Sequence, residues 1–134
     1  MNIKSFSISV IVGTVFLIGF EMLFHGILLE NTYMKTAHLW RTKAEMNEYC
    51  VFAFTNKFLL VLLLAKIFTL NYEAKGIAEG VRFGAYIGVL MALLQFGSYA
   101  YMPLPITLAL FWVVGAVISG LGLGVIFSLI YKNK

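Results

Sequence analysis

The sequence predicts an all-α integral membrane protein: a four-helix bundle with both termini on the same side. Three observations predict it. Hydrophobic residues fill 61% of the 134 positions and charged residues only 12%, with a mean hydropathy of +0.92. Soluble domains carry about 25% charge. Apolar stretches occur at about 6–29, 49–70, 83–102 and 106–131, and about 20 such residues cross a bilayer. None alternates in polarity as a barrel strand would, so backbone groups in lipid are satisfied only by helices. The chain, 1–134, is a single transmembrane domain.

The first helix, Phe6–Leu29, follows Lys4 and superficially resembles a secretory leader. It is longer than a leader's apolar core of roughly 7–15 residues, and no small-residue cleavage site precedes Glu30. A retained helix is expected. Tyr33, Met34, Ala37, Leu39 and Trp40 then stand among charges, which predicts an amphipathic interfacial segment within 31–46. Tyr33 and Trp40 are its natural anchors. The second helix is Tyr49–Leu70, followed by a connection from Asn71 to Arg82 that turns near Gly76. The third is Phe83–Met102. Pro103-Leu104-Pro105 leaves room only for a tight reversal into the fourth, Ile106–Tyr131.

The net charge of +4 comes from Lys and Arg residues scattered near segment ends, with no basic stripe or nucleic-acid motif. Nucleic acid is not an expected partner; membrane lipid is. With four helices, Lys4, Lys75, Arg82, Lys132 and Lys134 share one side, while Lys35, Arg41 and Lys43 lie on the other. The excess favours cytoplasmic termini, in a bacterial inner membrane. Lys66 can snorkel to the same side.

Gly80, Gly84, Gly88 and Ala92 place a small residue at every fourth position of the third helix. Ala116, Gly120, Gly124 and Ser128 do the same on the fourth. Residues four apart share a helix face, and small-residue faces let helices approach closely in lipid. The stripes are expected to pack on each other across the proline turn, or to join subunits. Gly120-Leu121-Gly122-Leu123-Gly124 is a packing face, because a phosphate cradle would need a loop.

Polar residues at matched depth define a candidate site. Glu21 and His25 are one turn apart on the first helix; Lys57 enters from the second, and Gln95 and Tyr99 from the third. At about 1.5 Å per residue all lie in the outer half of the membrane, which predicts an intramembrane polar layer built on a Glu21–Lys57 pair. Such a layer serves as a structural clamp, as a ligand, lipid-headgroup or proton-handling site, or as a metal site. Glu21, His25 and His38 are weak metal candidates, since their spacing matches no ligand motif. Cys50 is the only cysteine, expected to be a buried, inert thiol. The methionines lack M-x-x-M spacing and read as packing. No nucleophile elbow, P-loop or dinucleotide fingerprint occurs, so neither an enzyme nor a cofactor is expected.

His25-Gly26-Ile27-Leu28-Leu29, Tyr33, Leu39-Trp40-Arg41, Gly76 through Gly84, Met102-Pro103-Leu104-Pro105 and Ile130-Tyr131-Lys132 together carry a resemblance. They resemble small uncharacterised four-helix membrane proteins of bacteria, which implies the topology and transfers no function. The expected role is a non-enzymatic accessory or structural subunit of a larger membrane complex, or a small homo-oligomer. The alternative is a small transporter, proton-handling or lipid- or ligand-binding protein that uses the polar layer.

Overall fold

Four long apolar helices dominate the computed structural model, which describes residues 1–132. Lys134, counted in the charge balance, lies outside the described residues. The spans are Ile3–Leu28, Cys50–Leu70, Ile77–Ala100 and Ile106–Ile130, making a multi-pass helical membrane protein. The first comprises α1 (Ile3–Leu23) and a π-helical turn (Phe24–Leu28), in which the Leu29 N–H donates to the Phe24 carbonyl at 3.1 Å. The interfacial segment folds as α2 (Glu30–Lys35), a 3₁₀ turn (Ala37–Leu39) and α3 (Lys43–Glu48), rather than as one helix. The remaining spans are α4 (Cys50–Leu70), α5 (Ile77–Gly97) with a 3₁₀ turn (Ser98–Ala100), and α6 (Ile106–Ile130).

α5 begins at Ile77 rather than near Phe83. Gly76 reverses the chain at φ 67°, where a side chain would be strained. Glu79, in the first turn and 3% exposed, accepts the backbone N–H groups of Glu73 at 2.7 Å and Lys75 at 2.9 Å. This carboxylate gathers the loop onto the start of the helix, where the helix dipole favours negative charge. Outside the span, Glu73 bridges Lys75 at 2.5 Å and Arg82 at 2.6 Å. The Lys75 hydrogen bond holds its carboxyl below the usual range, helped by Arg82.

α5 and α6 form an antiparallel hairpin on the small-residue stripes. A Cβ added at Gly84 would sit 2.5 Å from the Gly120 carbonyl oxygen and 2.8 Å from Leu121 Cα. One at Gly88 would sit 2.9 Å from Val117 Cα. Gly80 abuts Gly124 and Ser128 in the same way. Real side chains do not tolerate such distances, so backbone packs on backbone, as small residues permit in lipid.

A second face of α6 receives α1. Gly115 admits the Phe24 ring and Gly122 the Phe16 ring, and Phe16, Phe20 and Phe24 stack along the first span with centroids 6.0 and 5.4 Å apart. Gly13 of α1 faces Phe127, Val61 and Leu123. Val10, Leu17, Val61, Leu64, Phe68, Leu123 and Phe127 form the main core. Phe68 also meets Tyr72, Phe83 and Tyr131. Met1 Sδ lies near Lys66 Nζ, so Met1 and Tyr131 both lie against the last turns of α4. We call this the terminal end. At the opposite, loop end, Phe24, Leu29, Leu104 and Leu108 form a smaller core capped by Tyr33, Leu39, Trp40 and Trp112.

Candidate functional site

The buried stripe of α4 is Val61, Leu64, Ala65 and Phe68, each 5% exposed or less. Continued toward the loop end, helical spacing puts Lys57, Phe54, Ala53 and Cys50 on that same face. There the cover ends. Lys57 is partly buried, while Cys50, Ala53 and Phe54 are exposed, Phe54 by 49%. α4 thus leaves the bundle above Lys57. Cys50, expected to be buried, is exposed for this reason.

At the point of departure Lys57 Nζ forms an ion pair with Glu21 Oε2 across α1 and α4. The two side chains keep 25% and 28% of their surface accessible. Each residue is about seven positions, or about 10 Å, inside the loop-end limit of its span (Leu28 and Cys50). Pairing cancels the charge that lipid would penalise in either residue alone. Partial accessibility leaves the remaining hydrogen-bonding capacity open.

His25 joins a different set of partners. Its Nδ1 lies 2.7 Å from the Tyr33 hydroxyl, which also accepts the Trp112 Nε1–H at 2.7 Å. Indole can only donate; with His25 protonated on Nε2 the Tyr33 O–H donates to Nδ1, and with the proton on Nδ1 the phenol oxygen accepts both N–H groups. The π-helical turn that holds His25 is a geometry frequent at functional sites. Trp40 Nε1–H donates to Thr36 Oγ1 at 2.9 Å, and the Trp40 ring contacts Tyr33 and Trp112. Partial burial raises the Tyr33 phenol above its ordinary value; the Trp112 N–H offsets this in part, and Glu21 adds to it. Tyr33 therefore contributes stability as the neutral phenol, lost only as pH rises past the ordinary tyrosine range.

Gln95 and Tyr99 do not join these groups. They continue the α5 stripe, but both are exposed, and Tyr99 stacks on Phe96 at 6.1 Å. Above Gly88 and Ala92 the small residues give way to Leu93 and Phe96, which face Leu110 and Val113 of α6 across an apolar groove of about 300 Å³. Gln95 does not line this groove and stays exposed. The layer expected across three spanning helices is thus a Glu21–Lys57 pair with a neighbouring His25–Tyr33–Trp112 chain.

His38 is exposed on the connection. Among the described residues, no three His, Cys, Asp or Glu side chains gather as they would around a metal ion. Sequence reasoning missed Trp112, Thr36 and Glu79. Trp112 could have been found as a tryptophan two turns into the fourth helix, level with the anchors Tyr33 and Trp40. Glu79 gave no signal, because its burial depends on how the preceding loop folds back.

The chain matches no family model, and no curated protein or solved structure is significantly similar to it.

Proposed function

We propose that the protein is a non-enzymatic membrane component that acts by binding, with the Glu21–Lys57 pair as its centre. The reading takes the termini as cytoplasmic and the membrane as a bacterial inner membrane, so the pair opens toward the outer leaflet. The observation that carries it is the ion pair left one-quarter accessible at membrane depth, where α4 loses its cover. A clamp serving only to fix helix register has no need of an opening beside it. The small-residue stripes, the strongest sequence argument for subunit association, are occupied inside the chain by the α5–α6 contact.

A second reading, an accessory subunit, is favoured by the apolar groove between α5 and α6, which a partner helix would fill. One experiment separates the two. Mass spectrometry of protein purified in mild detergent is expected to find a small molecule or lipid at about one per chain, lost in the Glu21→Gln/Lys57→Met double variant. Stoichiometric recovery of other membrane proteins, with nothing small bound at the pair, would establish the accessory role instead. Substituted-cysteine labelling checks the opening directly. On a Cys50→Ser background, Ala53→Cys and Phe54→Cys should react with a lipid-soluble maleimide in the membrane and the buried Val61→Cys should not.

A further inference from the structure

We infer that the open pair holds the headgroup of a phospholipid that joins a phosphate to a primary ammonium, as in phosphatidylethanolamine. The inference rests on the binding role proposed above and names its ligand. Lys57 Nζ has three N–H donors. One is given to Glu21 Oε2, and among the described residues nothing accepts from the other two. Glu21 Oε1 likewise has no donor among the described residues. The pair as a whole is neutral, yet it presents unused donors on one side and an unused acceptor on the other. A group lacking either kind of partner leaves part of this capacity unmet in a medium that cannot supply it.

The complement is therefore a group carrying both an anionic acceptor and an N–H donor. Phosphate oxygens meet the Lys57 ammonium, and an ammonium N–H meets the Glu21 carboxylate. Net neutrality matches net neutrality. The position suits a lipid better than a free zwitterion. The exposed stripe above the pair is Phe54, Ala53 and Cys50, and the π-helical turn that follows α1 exposes Ile27 and Leu28, by 70% and 65%. These apolar surfaces belong to membrane-spanning segments and lie where acyl chains run. Lys57 can extend toward the interface while its stem stays in lipid, which shortens the distance the headgroup must descend.

The inference separates phosphatidylethanolamine from phosphatidylcholine, which has the same charges and the same phosphate but no N–H. One charge-assisted hydrogen bond corresponds to about a tenfold difference in affinity. Native mass spectrometry of the full chain, released from a defined equimolar mixture of phosphatidylethanolamine, phosphatidylcholine and phosphatidylglycerol, reads the preference. The expected result is about tenfold enrichment of phosphatidylethanolamine over phosphatidylcholine in the first retained lipid, abolished in Glu21→Gln/Lys57→Met. Competition by soluble phosphoethanolamine at millimolar concentration should fail, because it lacks the acyl chains.

Equal retention of the three lipids, or an enrichment that survives the double variant, overturns the inference. Displacement by soluble phosphoethanolamine overturns the lipid assignment. A different small molecule retained by the wild type and lost in the variant also overturns it, yet leaves the binding role standing. Should the double variant fail to fold, the wild-type comparison of the two zwitterionic lipids decides by itself.

Discussion

The two halves of the bundle are built from the same kind of helix and end differently. At the terminal end, glycine backbones of α5 and α6 touch, and rings from α4, α5 and α6 converge at Phe68, Phe83 and Phe127. At the loop end Phe24 and Leu29 pack against Leu104 of the α5–α6 turn and Leu108 of α6, roofed by Tyr33 and Trp40, while α4 stands away above Lys57. The closed half rests on small residues that allow backbone contact between α5 and α6; the open half begins where α4 loses its cover above Lys57. The charged pair sits at the boundary. Closure supplies stability, and opening supplies access to the pair.

The largest test of this contrast is steric. Gly84→Leu or Gly120→Leu should cost more than about 3 kcal/mol, beyond the usual range for overpacking, because the obstacle is backbone. Loss of folded protein on size exclusion would show it. Leu90→Ala, on an exposed face, should change stability by less than about 0.5 kcal/mol. Equal outcomes would mean that the hairpin contact is not what closes the terminal half.

The boundary comes next. Glu21→Gln or Lys57→Met alone leaves an uncompensated charge in lipid and should cost about 3 kcal/mol. The double variant should cost clearly less than the sum, by thermal unfolding in detergent. Strict additivity would break the pair. A smaller effect is expected at the terminal loop: Glu79→Gln weakens charge-assisted bonds from two backbone N–H groups and should cost about 2 kcal/mol. Faster amide exchange confined to residues 71–76 would localise it. The smallest belongs to the open half, where Gln95→Leu should shift stability by less than about 0.5 kcal/mol. A large loss there would mean that α5 packs inward at Gln95 after all.

Much of this was legible in the residues. Gly80, Gly84 and Gly88 matched Gly120 and Gly124 by spacing alone, because a four-residue repeat on two helices joined by a tight turn has one obvious partner. Glu21 and Lys57 matched by depth, since helical rise converts position into height. Gln95 matched in depth and face and still failed to join, because depth says nothing of lateral separation. Glu79 could not be found, because its partners are backbone N–H groups whose direction is set by the loop.

Local period and what lipid tolerates sufficed for the number of spans, the helix hairpin and the level of the charges. Packing between elements set the rest: α4 parts from the bundle above Lys57. It also decided that His25 turns to Tyr33 and Trp112, and that the ion pair stays partly uncovered. Those outcomes depend on which surfaces meet, and that is a property of pairs of elements rather than of any one segment.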